Sequence, residues 1–495
     1  MIVPDRAEFR RLARDYNLIP VYREILADTE TPVSAYMKTC GGEYSFLLES
    51  VEGGERVARY SFLGSNPSLV FMSRRGRVTL LDTFAGKSRS FSSDDPLQDL
   101  ERLLASYRPA PMESLRRFHG GAVGFLGYDM VRHFERLPDE TVDDAQLPDS
   151  MFMLTDTALV FDRVAHQVKA VSNAYVKNAA EVDQAYDEAV QKVDALAASL
   201  SRPFSHNLKP ARGAGDAPSA SSNMTPEAFE SGVMRIKEYI AAGDAIQVVF
   251  AQRFQIELTT PPFSVYRALR TVNPSPYMYF LKFGDLQIAG ASPEALATVE
   301  DGIVQVQPIA GTRPRGSTPE EDAELEADLR SDPKEKAEHI MLVDLGRNDI
   351  GRVCEYGSVH VNEMMAVERY SHVMHLVSNV QGNLRPGMTA FDAVRAAFPA
   401  GTLSGAPKIR AMEIIDEMEP TRRGVYGGAV GYFSFSGNSD MAIAIRTLVA
   451  NGRAGSVQAG GGIVADSVPR LEFQESRNKA MAVLRAVELA HRGWE

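Results

Sequence analysis

Two carboxylates and an ammonium group follow a glycine-rich run near the end of the chain. The glycines at 460–462 have no side chains, so a ligand can approach the backbone and its amides there. The following residues predict a helix over 470–484, and Glu472, Glu475 and Lys479 fall on one face of it. These groups suggest a site for a metal ion and a small anion. A solvated helix face carrying Glu and Lys is the commoner origin of such a pattern.

A second pair of carboxylates lies on another predicted helix. Asp332 has the position of an N-cap, and Pro333 that of the first helical residue. Glu335 falls where a capping box places its carboxylate, so it has a capping explanation as well as a catalytic one. Glu338 lies one turn further on, past the capping zone. The edge of this helix could therefore face the first helix across a shared site.

The composition limits the class of protein. The chain has 495 residues, 44% of them hydrophobic and 24% charged, which is typical of a globular protein with two large lobes. Its net charge of −12 argues against a nucleic-acid binder, which needs a basic face. There is no signal-peptide pattern and no membrane-spanning apolar run, and Cys40 and Cys354 cannot form a disulfide framework. Together these features predict a cytoplasmic protein without membrane contact.

The elements that must position these groups follow from hydrophobic periodicity. Alternating stretches predict strands over residues 154–162, 167–171, 246–254, 372–381, 429–435 and 441–448. Because strands outnumber βαβ units, we expect an α+β fold of antiparallel sheets with helices on the outside. Residues 201–224 are rich in Pro, Gly, Ser and Ala and predict a linker or mobile loop between lobes at 1–200 and 225–495.

Several motifs, in order along the chain, resemble those of the chorismate-utilising enzymes, and among them the large subunits of anthranilate synthases. They are Leu47–Ser50, Arg59–Gly64, Pro308–Pro314, Lys334–His339, Gly401–Lys408 and the C-terminal run at 459–479. The resemblance implies two interlocked lobes that share sheets, the first regulatory and the second catalytic. It also implies an enzyme that converts chorismate and ammonia to anthranilate and pyruvate, the entry step of tryptophan synthesis.

The resemblance assigns roles to particular residues. It implies one Mg²⁺ ion held by Glu338 and Glu475, and an oxygen-only donor set does prefer such a hard cation. The implied catalytic residues are His375, which handles a proton during pyruvate loss, Thr402, near the leaving hydroxyl, and Glu335. The implied substrate-binding residues are Gly311, Thr312, Tyr426, Arg446, Gly460, Gly461, Gly462 and Lys479. Some of these residues also have an ordinary structural explanation, as a strand histidine, a turn tyrosine or a strand-end arginine.

Two positions distinguish the chain from its relatives. It has Ala310 where aminodeoxychorismate synthases typically carry a nucleophilic lysine, and Gln247 where isochorismate and salicylate synthases carry a lysine that activates water. Neither alanine nor an amide can perform that chemistry, which points to ammonia as an external nucleophile at C2. Two alternatives stay open. One is an enzyme that stops at 2-amino-2-deoxyisochorismate, and the other is a non-catalytic tryptophan-binding regulatory subunit.

The same family supplies expectations about regulation and partners. In anthranilate synthases, residues matching Glu49, Ser50, Pro276, Tyr277 and Met278 line an inhibitory tryptophan pocket. Neither cysteine of this chain lies in the Gly-x-Cys-x-Gly turn of a glutaminase. A separate glutamine amidotransferase subunit is therefore expected to supply ammonia from glutamine.

Overall fold

The computed structural model describes residues 1–51, 59–115, 117–203, 218–370 and 373–493. Residues 204–217 of the predicted linker lie outside these ranges, whereas residues 220–222 near its end form a short strand paired with residues 254–256. No helix within the described ranges combines the length and the apolar character needed to cross a bilayer.

The described ranges contain 25 strands. The first twelve are β1 (Ile2–Val3), β2 (Leu18–Leu26), β3 (Tyr44–Glu49), β4 (Tyr60–Ser65), β5 (Leu69–Arg74), β6 (Arg77–Asp82), β7 (Lys87–Ser92), β8 (Gly121–Leu126), β9 (Ser150–Thr155), β10 (Thr157–Asp162), β11 (Gln167–Tyr175) and β12 (Ala220–Ser222). The others are β13 (Gln247–Glu257), β14 (Tyr277–Phe283), β15 (Leu286–Ser292), β16 (Ala295–Glu300), β17 (Ile303–Val306), β18 (Ile309–Pro314), β19 (His360–Arg369), β20 (Val373–Asn383), β21 (Gly405–Ala406), β22 (Ala429–Ser434), β23 (Ser439–Ile443), β24 (Thr447–Asn451) and β25 (Ala454–Ile463).

Eleven α-helices accompany these strands in the same part of the chain. They are α1 (Arg6–Leu12), α2 (Pro32–Thr39), α3 (Pro96–Ala105), α4 (Val182–Leu200), α5 (Pro226–Ala241), α6 (Pro262–Val272), α7 (Pro319–Ser331), α8 (Pro333–Gly351), α9 (Ala390–Ala397), α10 (Lys408–Met418) and α11 (Pro469–Arg492). The two carboxylate-bearing helices of the sequence analysis are α8 and α11. As predicted, the side chain of Asp332 caps α8 by accepting from the backbone amides of Lys334 and Glu335.

The strands form two sheets, and every pairing between named strands is antiparallel. The first sheet has the order β1-β2-β11-β10-β4-β3-β14-β15-β24-β25-β13-β12, with β21 added beside β13. The second has the order β18-β20-β17-β16-β23-β22-β8-β9-β5-β6-β7, with β19 added beside β20. The predicted α+β class is confirmed.

Each sheet crosses from one half of the sequence to the other at a single strand pair. The crossing is β3 beside β14 in the first sheet and β22 beside β8 in the second. Large apolar side chains from both sheets, among them Phe46, Phe62, Phe125, Met153 and Tyr432, share one buried cluster. The helices pack on the outer faces, for example α4 on β11 and α11 on β25. The boundaries at 1–200 and 225–495 stay a prediction, since each sheet combines strands from both sides.

Two predicted strands are wrong, because each spans a change of sheet. The stretch 154–162 is divided between β9, in the second sheet, and β10, in the first. The stretch 441–448 is divided between β23, in the second sheet, and β24, in the first. The chain changes sheets at Arg446, whose φ of 49° lies in the left-handed region that residues with a Cβ seldom adopt. This backbone turn, and not a strand end, sets the position of the Arg446 side chain.

Candidate active site

One cavity of about 500 Å³ lies between the two sheets' edges, α8 and α11, and is lined by both carboxylate-bearing helices. Every residue predicted to be catalytic, substrate-binding or metal-binding lines it, namely Gly311, Thr312, Glu335, Glu338, His375, Thr402, Tyr426, Arg446, Gly460, Gly461, Gly462, Glu475 and Lys479. Glu294, Gln247, Glu472 and Gln458 line it as well. The structure therefore brings together groups that are up to about 230 residues apart in the sequence.

Four carboxylates face this cavity from α8 and α11. Glu338 Oε1 accepts from Gln247 Nε2 at 3.1 Å, and Glu475 Oε1 lies 2.7 Å from Lys479 Nζ. Burial, and then the neighbouring charge of Glu475, raise the pKa of Glu472. The backbone of Gly461 lies close to the carboxylates of Glu472 and Glu475. A Cβ at Gly461 would lie 3.2 Å from Glu472 Oε2.

The side chains of this cavity fit a hard cation whose remaining ligands are water molecules and substrate oxygens. The described residues contain no group of three or more His, Cys, Asp or Glu side chains arranged to hold a metal ion. Two carboxylates in a cavity with no thiolate beside them are, however, a donor set typical of Mg²⁺, which takes its remaining ligands from water or substrate. Glu338 and Glu475 are the two residues that would hold it.

The side chain of Glu335 is not part of a capping box. Glu335 Oε1 accepts from Arg313 Nη1 at 3.1 Å, and Arg313 also contacts Asp328 and Asp332. The capping of α8 is done by Asp332 alone. The capping explanation of the Glu335 carboxylate therefore does not apply, and the group is held at the cavity wall by an arginine.

The glycines at 460–462 lie in the extended strand β25, not in a curled anion cup. On one side β25 pairs with β13, and on the other side β24 pairs with it only as far as Val457. The Gly460 carbonyl accepts from Lys479 Nζ at 3.1 Å, and its backbone also hydrogen-bonds to the Tyr426 hydroxyl. Beyond Val457, the edge of β25 that faces away from β13 has no neighbouring strand among the described residues. The backbone groups of Gly460 point to this edge, and since alternate residues of a strand point to the same edge, the amide of Gly462 faces it too.

Gly462 is required for a second reason, which concerns Gln247. A Cβ at Gly462 would lie 2.2 Å from Gln247 Nε2, closer than any side chain can tolerate. The glycine therefore leaves the space through which Gln247 reaches Glu338. Gln247 itself is buried, and its Oε1 atom has no hydrogen-bond partner. A buried carbonyl oxygen without a donor is costly and is ready to accept a hydrogen bond from a ligand.

His375 lies in β20, as predicted, and its ring is held in one orientation. Nδ1 lies 3.1 Å from the Gly311 carbonyl oxygen and 2.9 Å from Thr312 Oγ1. A carbonyl oxygen only accepts, so Nδ1 carries the proton and Nε2 presents a lone pair. Burial lowers the pKa of His375, which keeps the ring neutral at physiological pH. Gly311 forms a bulge in β18 with φ of 77°, a conformation that suits glycine.

Among the described residues, Glu294 is the one carboxylate lining the first cavity that was not predicted from the sequence. It lies between β15 and β16, and Thr402 Oγ1 donates to its Oε1 at 3.1 Å. Burial raises the pKa of Glu294 to about 8, although Thr402, Arg446 and Lys479 act in the opposite direction. The side chain is therefore mostly a neutral acid near pH 7, beside the predicted neighbour of the leaving hydroxyl. No periodic pattern surrounds this single carboxylate in the sequence.

A second cavity of about 500 Å³ contains the residues predicted to bind tryptophan. Glu49, Ser50, Pro276, Tyr277 and Met278 all line it, at the junction of β3 and β14. The Ser50 hydroxyl donates to the Pro276 carbonyl, so the two halves are tied together there. The structure thus brings all five residues to one site.

The Glu49 carboxylate already has partners of its own. It binds Arg270 at 3.0 Å and Arg163 at 3.4 Å, and it accepts from the Tyr266 hydroxyl. It therefore has little remaining capacity to hold an amino-acid head group. Asp440, in the same cavity, has a buried Oδ1 without a hydrogen-bond partner, and burial raises its pKa to about 6. Asp440 was not among the residues predicted from the sequence.

Comparison with known proteins defines the family of this chain. A family model described as chorismate binding enzyme matches residues 45–485. The chain belongs to the chorismate binding enzyme family. Among curated members of the family, the anthranilate synthase component 1 of Acetivibrio thermocellus is 48% identical, covering 99% of each chain. That of Pseudomonas aeruginosa is 49% identical, covering 99% of this chain and all of the relative.

Two solved structures have the same architecture. Anthranilate synthase component I from Streptococcus pneumoniae superposes with a TM-score of 0.77 at 39% identity, covering 94% of this chain and 99% of that one. The menaquinone-specific isochorismate synthase of Escherichia coli gives a TM-score of 0.70 at 19% identity, covering 97% and 98%. The latter likeness extends to the fold alone.

Proposed function

We propose that the chain converts chorismate and ammonia to anthranilate, pyruvate and water, as the first step of tryptophan biosynthesis. The observation that carries this proposal is the first cavity, which combines two facing carboxylates, a neutral acid at Glu294, an oriented imidazole at His375 and the cations of Arg446 and Lys479. The relatives named anthranilate synthase component 1 support the same reaction over the whole length of the chain.

Binding of a dianionic substrate to a chain with net charge −12 requires local positive charge. Arg446 offers a planar fork for a carboxylate, and burial lowers its pKa without removing the charge of a guanidinium. Lys479 and the backbone amide edge of β25 lie in the same cavity. When bound at Glu338 and Glu475, Mg²⁺ would neutralise and orient the ring carboxylate as a Lewis acid.

The first chemical step adds the nitrogen. Ammonia forms a bond to C2, the ring double bonds shift, and the C4 hydroxyl leaves as water after taking a proton from Glu294. The ammonium formed at C2 then loses one proton to solvent, and Glu294 regains one. Thr402 keeps that acid in place through its 3.1 Å hydrogen bond. The unpartnered Oε1 of Gln247 can accept an N–H of ammonia while leaving the nitrogen lone pair free to attack. Ala310 supplies no competing nucleophile.

The second step releases pyruvate. His375 Nε2 takes the proton from C2, the bond from C3 to the enolpyruvyl oxygen breaks, and the ring becomes aromatic. The enolpyruvate gains a proton at its methylene carbon and becomes pyruvate. The hydrogen bond from Nδ1 to the Gly311 carbonyl stabilises the imidazolium that forms.

The direct test is a product assay with purified chain, chorismate, MgCl₂ and an ammonium salt. We expect anthranilate and pyruvate in equal amounts. An aminated product that retains the enolpyruvyl group would identify a 2-amino-2-deoxyisochorismate synthase instead. No consumption of chorismate would leave a non-catalytic tryptophan-binding subunit.

A glutaminase partner is part of this proposal, because the described residues offer no activated thiol. Cys40 and Cys354 are both buried, and burial raises the pKa of Cys40 to about 12 and that of Cys354 to about 11. We predict that the isolated chain uses ammonium salts but not glutamine. The measurement is anthranilate formation with glutamine as the only nitrogen source. Turnover at the rate seen with ammonium would contradict the need for a partner.

We also propose that tryptophan binds in the second cavity and inhibits the enzyme. Met278, Tyr277 and Pro276 provide apolar and aromatic walls, while Arg117 and Asp440 present opposite charges to an amino acid. Arg117 Nε lies 3.5 Å from Glu300 Oε2, and the other nitrogens of the guanidinium can still bind a ligand carboxylate. The pocket touches both halves of the chain, which is a requirement for coupling between them.

Replacing Asp440 with asparagine should weaken inhibition by tryptophan at least tenfold, since a charged hydrogen bond contributes about 1.5–3 kcal/mol. The kcat without tryptophan should change little, because Asp440 does not line the first cavity. The measurement is the tryptophan concentration for half-inhibition. Glu257→Gln, at an exposed ion pair with Arg453, is the control and should behave as wild type. Unchanged inhibition of Asp440→Asn would exclude this head-group site.

A further inference from the structure

Arg423 and Glu419 form an ion pair beneath the first cavity that no functional assignment yet explains. Both side chains are only 2% exposed, and Arg423 Nη2 lies 2.6 Å from Glu419 Oε1. Arg423 does not line the first cavity. Taking two charges out of water is expensive, and such a pair is weak support for stability by itself. Its contacts therefore indicate what else it does.

The guanidinium uses its remaining donors on the backbone of cavity residues. Nη1 donates to the Leu403 carbonyl at 2.6 Å, and Nη2 donates to the Val249 carbonyl at 2.8 Å. Leu403 directly follows Thr402 in a 3₁₀ turn, and Val249 lies in β13 opposite Gly462. Arg423 thus ties the turn that carries Thr402 to the strand beside the glycine edge.

The Arg423 guanidinium also packs on the ring face of Tyr426. The Arg423 guanidinium lies 4.6 Å from the ring centroid of Tyr128 and 5.5 Å from that of Tyr426. Such contacts between a cation and an aromatic face are attractive and favour defined geometry. The Tyr426 hydroxyl reaches the Gly460 backbone at the other end. The orientation of Tyr426 across the cavity therefore depends on Arg423.

Glu419 extends the cluster to two further segments. Its Oε1 accepts from the Ala251 amide at 3.0 Å, and Gln458 Nε2 lies 3.5 Å from its Oε2. Gln458 belongs to β25 and lines the first cavity. The pair therefore contacts β13, β25, the Thr402 turn and Tyr426, all of which contribute walls to the same cavity.

We infer that Arg423, held by Glu419, is a positioning residue for the amination and elimination reaction proposed above. It acts through Thr402 and Tyr426 and touches no substrate atom. A lysine at this position keeps the charge, but its single ammonium cannot span a carboxylate, two carbonyls and two ring faces. Since misplacement of reacting groups by about 1 Å can cost 100-fold in rate, the conservative change should be harmful.

The test rests on Arg423→Lys, assayed with chorismate, MgCl₂ and ammonium chloride. We expect kcat to fall about 100-fold, because the Thr402–Glu294 pair is misaligned. The KM for chorismate should rise much less than kcat falls, because the substitution disturbs Tyr426 but leaves the cations of Arg446 and Lys479 in the cavity. In Arg423→Ala, added guanidinium chloride at low millimolar concentration should restore part of kcat. Equal kcat for Arg423→Lys and wild type, or no rescue of Arg423→Ala, would overturn the inference.

Arg132→Lys is the matched control for a merely structural effect. Arg132 binds Asp129 and Asp416 and donates to a backbone carbonyl. It lines the same small cavity as Arg423, but none of these partners lines the first cavity. Its substitution should lower Tm comparably while kcat stays within threefold of wild type. If both variants lose kcat in proportion to their loss of Tm, Arg423 has a structural role only.

A milder variant keeps the proposal testable if the arginine variants do not fold. Glu419→Gln preserves the shape of the side chain and one acceptor oxygen, and it should lower kcat less than Arg423→Lys does. Unchanged kcat in that variant would also count against the inference. The wild-type assay separates the two proposals, since a wild type that makes no anthranilate refutes the reaction itself and an unaffected variant refutes only the role of Arg423.

Discussion

Replacing Glu294 with glutamine should lower kcat by a factor of about 10²–10⁴, the range that general acid catalysis contributes. Glutamine preserves the acceptor for the Thr402 hydroxyl but cannot give a proton to the leaving C4 hydroxyl. The KM for chorismate should change little, because the charges that hold the substrate, on Arg446 and Lys479, are untouched. The measurement is steady-state anthranilate formation with saturating ammonium. A Glu294→Gln variant with more than a tenth of the wild-type kcat would exclude Glu294 as the acid.

The same residue sets the direction of the pH dependence. Since its pKa is raised to about 8, Glu294 is a proton donor below that pH and becomes an inactive carboxylate above it. At a fixed concentration of free ammonia, kcat should therefore fall as the pH rises through about 8. At a fixed concentration of total ammonium the rate should show an optimum, because the free base increases over the same range in which the acid is lost. Glu294→Gln should lack the falling limb.

The carboxylates of α8 and α11 could be predicted from the sequence because their arrangement is local. The spacing of Glu472, Glu475 and Lys479 sets a common helix face whatever the rest of the chain does. The same holds for the cap at Asp332, since its side chain binds amides only two and three residues away. Local geometry of this kind survives in the folded protein, and all these helix residues except Asp332 line the cavity.

Glu294 and Arg446 could not be interpreted in this way because their properties are produced by distant residues. The raised pKa of Glu294 results from burial under segments more than 100 positions away, including the turn of Thr402. The apolar alternation through 441–448 continues across the point at which the chain leaves one sheet for the other. A positive φ at an arginine leaves no mark in the hydrophobic pattern. Asp440 was missed likewise, since its unpartnered oxygen depends on packing between two sheets.

The motif resemblance supplied what periodicity could not, but it did not supply geometry. It grouped His375, Tyr426 and the glycines of β25 with the two helices, and the structure brings them to one cavity. It gave no indication that β25 is extended, or that the Glu49 carboxylate forms ion pairs with Arg163 and Arg270. Those features follow from contacts between residues that lie more than 100 positions apart in the sequence.

Removal of divalent metal should abolish turnover, by roughly a thousandfold or more. A bound metal contributes several kcal/mol of charge stabilisation, and about 1.4 kcal/mol corresponds to a factor of ten in rate. Excess EDTA should therefore stop anthranilate formation, and Mg²⁺ added beyond the chelator should restore it. Glu475→Gln should show a comparable loss in the presence of Mg²⁺, since it removes one of the two anionic ligands.

The Glu475 variant separates loss of metal from loss of folding. The ion pair of Glu475 with Lys479 is about half exposed and adds little stability, while the charge of Glu475 disfavours that of Glu472. In EDTA the Tm of Glu475→Gln should therefore equal or exceed that of wild type. With Mg²⁺ and chorismate together, wild type should gain Tm through ligand binding and the variant should gain less. Glu488→Gln is the matched control, because Glu488 forms the same i,i+4 pair with Arg492 on α11 outside the cavity and should leave kcat and the Tm gain unchanged. Full activity of Glu475→Gln in EDTA would show that these carboxylates have another purpose.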